Sequence, residues 1–186
     1  MTAAPDRRPR DPTGRRQAIV EAAGRVIARE GLGELTHRRV AAEADVPVGS
    51  TTYYFSHLEA LQDAALTHAA TTAAAYLDQW HRELEAKPEL PAALAQLTAD
   101  YLADRDRHRT LNELYIAATR RPELQHLARR WHEDLVALLE PRIGRRAAEA
   151  VTVFLDGATL NSLISDTPLS IDALTDAIAR LATDCP

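Results

Sequence analysis

Residues 36–61 of the 186-residue chain read THRRVAAEADVPVGSTTYYFSHLEAL, and this stretch predicts two short helices joined by a tight turn. Thr36 is a good helix N-cap, and small apolar residues follow it at helical spacing. The turn falls at residues 45–47, because Asp tolerates the left-handed conformation and Pro suits the start of a helix. This is the layout in which a second helix can enter the major groove of DNA.

The second helix of this pair, residues 47–54, carries hydroxyl and small side chains where a core helix would show a stripe of Leu, Ile or Val. Ser and Thr hydroxyls can bond to base edges or phosphates, and a Tyr hydroxyl can reach a phosphate. Gly49 allows a close backbone approach, and Arg38 and Arg39 can pair with phosphate or read guanine. The alternative is a solvated helical hairpin that binds no partner.

Residues 35–61 resemble the signature of the tetracycline-repressor (TetR) family of transcriptional regulators, and the similarity extends over residues 15–66. Its most specific part is the helix over residues 36–44, followed at the family spacing by Val46, Gly49, Ser50, Tyr53, Phe55, Glu59 and Leu61. The resemblance implies that DNA is contacted by Thr36, His37, Arg38, Val48, Ser50, Tyr53 and Tyr54. We add Gly49 and His57 to this predicted DNA-binding set.

Three positions depart from the family pattern. Leu58 stands where the family usually has a Lys that contacts a phosphate, Thr52 replaces a Tyr, and Asp45 replaces the turn Gly. His57 or free backbone N–H groups at the start of the following helix can replace the missing phosphate contact. The departure at Leu58 leaves a second interpretation open, namely a helical module that binds a small molecule or a protein and has lost specific DNA binding.

The composition predicts an all-α chain. Aromatic residues make up 5% of the sequence, alternating β-branched runs are absent, and Ala, Leu, Arg and Glu are abundant. The sequence contains neither an apolar run long enough for a membrane span nor a signal-peptide pattern, and Cys185 is the single cysteine. We therefore expect a cytoplasmic protein without a membrane partner or an internal disulfide framework.

The charge is divided unevenly along the chain. Residues 1–56 hold nine arginines against seven acidic residues, a net charge of +2, whereas residues 57–186 carry thirteen basic and twenty acidic residues, a net charge of −7. A slightly basic head on an acidic body limits non-specific attraction to nucleic acid. DNA affinity should then depend on specific contacts.

The chain divides into three predicted regions: a basic arm (1–13), a helix-turn-helix DNA-binding domain (14–56) and a ligand-binding and dimerisation domain (57–186). The arm contains three prolines and three arginines, so it is either a disordered tail or a segment that follows the DNA backbone or minor groove. We expect about nine helices in all. Beyond the helix-turn-helix they cover residues 14–30, 56–87, 91–105, 110–120, 123–139, 145–165 and 171–183.

Two local interpretations accompany these helices. Ser56 and Glu59 have the spacing of a capping box for the long helix that starts at residue 56. The charged run DRDRHR, residues 104–109, is interpreted as a solvated helix end.

The helix predicted over residues 145–165 has two apolar faces, so one should meet its own body and the other a second subunit. One face carries Val151, Phe154, Leu155, Ala158 and Ser162, and the other carries Val153, Gly157, Leu160 and Ile164. In the family, the last two helices of each subunit form a four-helix dimer interface. We predict a dimer interface formed by Val151, Phe154, Ala158, Ser162, Leu174 and Ile178. The alternative is that Gly157 and Ala158 only allow close packing within the chain.

The sequence does not favour an enzyme, a cofactor or a bound metal. Seven histidines are present, but none shows zinc-ligand spacing, and no phosphate-binding loop or catalytic motif occurs. A pocket for an apolar or aromatic ligand is predicted instead between the body helices. Its candidate residues are Tyr76, Trp80, Tyr101, Asn112, Tyr115, Trp131 and Phe154, with Thr119 and Asn161 as further polar partners. For each residue taken singly, a place in the core or at an interface is the better interpretation.

Together these features predict a homodimeric, ligand-responsive repressor that binds a palindromic operator in double-stranded DNA. The ligand is an unknown small molecule. We expect a ligand in the body to favour a conformer in which the two heads have the wrong spacing for DNA.

Overall fold

The computed structural model describes residues 12–165 and 167–183, and the regular elements in these ranges are all helical. The α-helices are α1 (Pro12–Glu30), α2 (His37–Glu43), α3 (Val48–Tyr54), α4 (Leu58–Glu85), α5 (Leu90–Leu102), α6 (Arg105–Ala118), α7 (Gln125–Ile143), α8 (Arg145–Ile164) and α9 (Ile171–Thr183). The expected all-α fold is thereby confirmed. Among the described helices, none is both long and apolar enough to cross a membrane.

Helices α1, α2 and α3 form a small head around one hydrophobic core. Leu35, Val40 and Phe55 are almost completely buried in it, together with one face of α1. The guanidinium of Arg16 covers the Phe55 ring, with its central carbon 4.9 Å from the ring centroid. The expected three-helix core with Phe55 as a packing residue is confirmed.

The turn between α2 and α3 depends on Asp45. Its φ of 51° lies in the left-handed region, which Asp adopts more readily than most residues. The Val46 N–H donates to the Ala41 carbonyl at 3.0 Å and the Asp45 N–H to the Ala42 carbonyl at 3.4 Å, so α2 ends in a Schellman motif. At the other end of α2, the Thr36 hydroxyl accepts a hydrogen bond from the Arg39 N–H at 3.2 Å.

Helix α4 joins the head to the body. Its 28 residues span roughly 42 Å at 1.5 Å per residue. Leu61 and Ala65 belong to the head core, and the buried face from Leu66 to Leu84 belongs to the body core. One continuous helix therefore crosses the region between the two predicted domains.

Helices α5–α9 complete the body around α4. Helix α9 packs chiefly on α5 and α8, and its buried face carries Leu174 and Ile178. The Ala173 N–H donates to the Ser170 hydroxyl at 3.2 Å, so Ser170 caps this helix as its sequence predicts. Gly144, with a φ of 79°, separates α7 from α8.

Several predicted helix limits are wrong. Helix α4 begins at Leu58 with His57 as its N-cap and no side-chain cap, so the predicted capping box of Ser56 and Glu59 does not form. Pro12 and Thr13, which we placed in the arm, begin α1, and the rest of the predicted arm lies outside the described residues. Helix α7 continues through Pro141 to Ile143.

The charged run at residues 104–109 is not a solvated helix end. Helix α6 starts at Arg105, five residues earlier than the sequence predicts, and the Asp104 carboxylate caps it by accepting from the Arg107 N–H at 3.2 Å. His108 is fully buried, and its Nε2–H donates to the Tyr101 carbonyl at 2.5 Å. Burial lowers the pKa of His108 below its ordinary 6.5, despite the opposing effect of that hydrogen bond.

We expect the His108→Gln variant to lose less stability in mild acid than the wild type. The fold favours neutral His108, so its contribution is complete above the unfolded-state pKa of 6.5 and is lost as the pH falls through it toward the lower folded-state pKa. Glutamine keeps an N–H donor for Tyr101 but does not titrate. Urea unfolding at about pH 7.5 and about pH 5.5 measures the difference.

The matched control is His126→Gln, which removes an exposed histidine of α7. This control should keep the pH dependence of the wild type. The same loss of stability in His108→Gln and wild type would contradict a neutral buried His108.

Candidate DNA-binding surface and ligand cavity

The outward face of α3 is exposed on the surface of the head. Tyr53 is 81% exposed and Val48 is 45% exposed, while Gly49 lies beside them on the surface. Ser50 and Tyr54 are half-buried, and the Tyr54 ring meets the Tyr53 ring edge-on at 5.1 Å between centroids. This face offers hydroxyl groups and aromatic edges around an open backbone.

The hydroxyls at positions 51 and 52 are occupied within the helix. Thr51 is fully buried, and its hydroxyl donates to the Val48 carbonyl at 2.8 Å. The hydroxyl of exposed Thr52 is 3.3 Å from the Gly49 carbonyl. Ser50 and the two tyrosines therefore carry the hydroxyls of α3 that are free to bond outward among the described residues.

The two neighbouring arginines of α2 have different surroundings. Arg39 contacts the Glu34 carboxylate at 2.7 Å and the Glu30 carboxylate at 3.1 Å, and these partners raise its pKa. Arg38 is exposed and forms no ion pair with the described part of the chain. Arg38 is therefore free for DNA, whereas Arg39 holds α2 against the preceding segment.

Thr36, His37 and His57 lie at the edges of the same surface. Thr36 is exposed although its hydroxyl already caps α2, and His37 is half-buried. His57 is exposed at the start of α4, where the first backbone N–H groups lack a side-chain cap. Leu58 is partly buried against the head core, so it contributes packing in place of a phosphate contact.

Glu43 fixes the angle between α1 and α2. Its carboxylate accepts hydrogen bonds from Arg25, at 2.6 Å, and from Arg29. These arginines, Arg29 foremost, lower the pKa of Glu43 to about 2, so the carboxylate stays charged across the physiological range. Helix α2 is thus held in a defined orientation by the first helix.

Most of the predicted pocket aromatics pack against one another. The rings of Tyr101 and Trp131 stack at 5.1 Å between centroids, and Trp80 meets both edge-on at 5.8 and 5.9 Å. Tyr76 meets Tyr101 edge-on at 5.7 Å, and Phe154 is partly buried against the same core. The rings of Tyr76, Trp80, Tyr101 and Trp131 therefore form a packed aromatic cluster. Tyr76 also lines a small cavity of about 310 Å³ beside α1 and α6, and none of the five residues lines the larger cavity of the body.

A cavity of about 790 Å³ lies instead between α6, α7 and α8. Three predicted residues line it: Asn112, Tyr115 and Thr119. Its other lining residues are Ile116, Ala118, Gln125, Ala128, Arg129, His132, Asp156, Gly157 and Leu160. Asn161, a predicted polar partner, lies outside this lining.

His132 and Asp156 are two of the nine lining residues that the sequence did not predict for this cavity. The His132 Nδ1 is 3.3 Å from the Asp156 carboxylate, and burial raises the pKa of Asp156. The available signal was an acidic residue in VTVFLDGATL, residues 151–160, which is the most apolar stretch of α8. Within the described residues, no group of three or more His, Cys, Asp or Glu side chains forms a metal-ion site.

The two faces of α8 have different environments. Val151, Ala158 and Ser162 are buried within the protomer, as are Leu174 and Ile178 of α9, because they pack in the body core. These predicted interface residues have no surface to offer a partner, and Phe154 is only partly exposed. The opposite face is open, with Val153 62%, Leu160 50% and Ile164 77% exposed.

A head of α1–α3 joined by one long helix to a helical body defines a class of helix-turn-helix proteins. A family model described as tetracyclin repressor-like, C-terminal domain, matches residues 85–184. The solved structure of the multidrug binding protein EbrR complexed with imidazole is 42% identical, with 90% of this chain and 94% of that chain covered and a TM-score of 0.74. The chain therefore belongs to the TetR family.

Two further structures support the assignment. The TetR-family member SCO1917 from Streptomyces coelicolor A3 is 39% identical over 90% of this chain and 97% of that chain, with a TM-score of 0.74. EbrR complexed with ethidium is 39% identical over 90% of this chain and 98% of that chain, with a TM-score of 0.70. EbrR complexes with proflavin and malachite green also match. None of the curated protein sequences compared with this chain matches it.

The Arg38→Ala variant should bind DNA more weakly and read it less selectively. Removing an unpaired guanidinium that reads a base should cost about 1–3 kcal/mol and relax the preference at one base pair. Fluorescence anisotropy with a set of single-base operator variants measures both effects.

Arg82→Ala is the matched control, because Arg82 is an exposed arginine at the far end of α4. This variant should bind as the wild type does. An unchanged base preference in Arg38→Ala would remove Arg38 from base readout.

Proposed function

We propose that this TetR-family regulator is a cytoplasmic, homodimeric repressor that binds a palindromic operator and releases it when a small molecule occupies the body. The observation that carries the proposal is the free, outward surface of Arg38 and α3 on a head held rigidly by its own ion pairs. Family members are in general DNA-binding proteins without enzymatic activity, and we assign none to this chain.

The roles of the DNA-facing residues follow from their exposure and chemistry. We assign Arg38 and Ser50 to base edges and exposed Val48 to an apolar contact with a thymine methyl group. Tyr53 and Tyr54 are assigned to phosphates. Thr36, His37 and His57 flank them and are assigned to the phosphate backbone as well. Gly49 has no side chain, so it allows the backbone of α3 to approach the groove closely.

The dimer surface that we propose is the open face of α8. Val153, Gly157, Leu160 and Ile164 follow one another at intervals of four, three and four residues, the spacing of an apolar seam between helices. A two-fold axis through this seam would place the seam of one subunit against the same seam of its partner. The resulting dimer would present two heads to the DNA. Heads about 34–36 Å apart fit successive major grooves.

Val153→Asp and Ile164→Asp should separate the dimer without unfolding the chain. Each substitution places a charge on an apolar surface and acts twice across a two-fold interface, so the dimer Kd should rise at least about a hundredfold. Light scattering coupled to size-exclusion chromatography measures the change. Ala75→Asp, on the exposed side of α4, should remain dimeric. A dimer that persists in both α8 variants would contradict this surface.

Helix α6 offers a route from the cavity to the head. Asn112, Tyr115 and Ile116 line the cavity from α6. On the head side, the Thr110 hydroxyl lies 3.2 Å from both the Gly24 carbonyl of α1 and the Asp106 carbonyl of its own helix, so its hydrogen is shared between them. The Glu113 carboxylate accepts from the Leu32 N–H at 3.4 Å. A ligand that shifts α6 therefore shifts the contacts that orient the head. A coupling of about 1–3 kcal/mol would weaken DNA binding by roughly 5- to 150-fold.

The Thr110→Val variant should couple the two sites less strongly. Valine keeps the shape of the side chain but loses the hydrogen bond to α1, so the change in DNA affinity caused by the ligand should shrink by about two- to tenfold. Anisotropy titrations of labelled DNA with and without ethidium, the compound bound by EbrR, measure this coupling. Thr71→Val, which loses only a bond within α4, should couple as the wild type does. Equal coupling in Thr110→Val would exclude this contact from the route.

The proposed function is tested with purified protein and duplexes tiled from the DNA beside its own gene. We expect saturable anisotropy changes that resist scrambled competitor DNA and fall steeply with salt. The second candidate, a ligand- or protein-binding module without specific DNA binding, is favoured by Leu58 in place of the family Lys. Equal binding to tiled and scrambled DNA at low salt would support that candidate and overturn the repressor.

A further inference from the structure

A groove on the surface of the head lies between the start of α1 and α3. It is lined from α1 by Pro12 and Arg15 and from α3 by Ser50, Tyr53 and Tyr54. Its volume is about 460 Å³. Within the described residues, no carboxylate belongs to its lining, and Arg15 is the one charged side chain there. The groove therefore has the electrostatic character of a site for an anion.

Arg15 is one of two arginines of the head that are free to meet such an anion. Residues 12–57 contain six arginines, and four of them are held by groups of the head itself. These four are Arg16, which covers the Phe55 ring, and Arg25, Arg29 and Arg39, which pair with carboxylates. Arg38 and Arg15 are exposed, and neither forms an ion pair with the described part of the chain. Arg15 does not hydrogen-bond that part of the chain either.

We propose that this groove binds one sugar–phosphate unit of the DNA backbone, with Arg15 as the ligand of the phosphate. The inference rests on the proposed function, because it adds a contact to the same DNA-binding surface. A guanidinium can hold two phosphate oxygens at once, and the hydroxyls of Tyr53 and Tyr54 line the same groove. The tyrosine rings and Pro12 provide an apolar wall against which a deoxyribose can pack.

The position of Arg15 favours a phosphate over a base edge. In a helix-turn-helix the second helix enters the major groove, so a side chain beside that helix meets the DNA strand that borders the groove. Arg15 belongs to α1 and lies beside α3. The neighbouring Arg16 covers the ring of Phe55, the residue that ends α3, and this contact holds the start of α1 next to α3.

The start of α4 does not supply an equivalent cation. Leu58 is partly buried against the head core, and residues 56–62 contain neither arginine nor lysine. Arg15 thus brings to the DNA-facing surface, from a different helix, a positive charge that α4 lacks at its first turn. Each phosphate that a protein neutralises makes its binding to DNA more dependent on salt. The proposed contact is therefore measurable as a salt effect.

The test uses the full-length protein and an operator duplex in a series of salt concentrations. Arg15→Ala should weaken operator binding at least about tenfold and reduce the slope of log K against log salt by about 0.9 for each bound head. Its preference among single-base operator variants should not change. Arg15→Lys should restore the slope, because lysine also binds phosphate as a point charge.

Arg146→Ala is the matched control, because Arg146 is an exposed arginine in the first turn of α8. It lies far from the head, since nearby Arg142 donates to the Leu84 carbonyl at the other end of α4 at 2.8 Å. This control should keep the affinity and the salt slope of the wild type. Thermal unfolding of Arg15→Ala should match that of the wild type, since the exposed side chain has no partner to lose.

Operators with one uncharged methylphosphonate in place of a phosphate locate the contact. At one position in each half-site, this replacement should weaken the wild type and leave Arg15→Ala unaffected. An unchanged salt slope in Arg15→Ala, or a changed preference at one base pair, would overturn the phosphate contact and leave the repressor function intact. A wild type that prefers no duplex over scrambled DNA would refute the proposed function, and this contact with it.

Discussion

Helix α4 contributes buried residues to two hydrophobic cores from one rigid backbone, and the arrangement of head and body depends on this constraint. Leu61 and Ala65 are buried in the head, and one face of α4 from Leu66 to Leu84 is buried in the body. The head cannot rotate about α4 without exposing apolar surface at one end, at a cost of about 25 cal/mol per Å². The ion pair of Arg121 with Asp63, at 2.7 Å, ties the end of α6 to the same helix.

The head was predictable from sequence because its signals are local. Thr36 caps α2, Asp45 adopts the left-handed turn, and Phe55 closes the core, each as the residue type alone indicates. The boundary of α5 and α6 was not predictable in this way. The run at residues 104–109 is strongly charged, yet His108 within it is buried against Tyr101. The sequence does not reveal this burial, because only the packed body shows which side of the turn faces inward.

The predicted DNA-binding surface and the body cavity likewise differ in how far the sequence predicts them. The residues predicted to face DNA share one short segment, so their spacing and their resemblance to a family were enough to predict that they lie together. The body cavity is built from three helices distant in sequence, and the expected aromatic pocket of Trp80, Tyr101 and Trp131 turned out to be a filled cluster. Aromatic residues at helical spacing are typical of cores and pockets alike, and only tertiary packing distinguishes the two.

The apolar patterning of α8 had a similar ambiguity. Its two faces were evident in the sequence, but the choice of the inward face required the neighbours that cover Val151 and Ala158. The outward face remains uncovered in the protomer, and contiguous exposed apolar side chains are typical of surfaces that associate with a partner. If positions 153 and 164 carried polar residues, the sequence alone would have shown which face of α8 points into the body.

Gly157 and Leu160 belong both to the wall of the cavity and to the open face of α8. In the dimer that we propose, occupancy of the cavity and association of the subunits are therefore thermodynamically linked through one turn of helix. Such linkage is reciprocal: a ligand that favours one packing of Leu160 changes the dimer Kd, and dimerisation changes the ligand's affinity by the same factor. The apparent sensitivity of the regulator to its ligand would then depend on how much of the protein the cell contains.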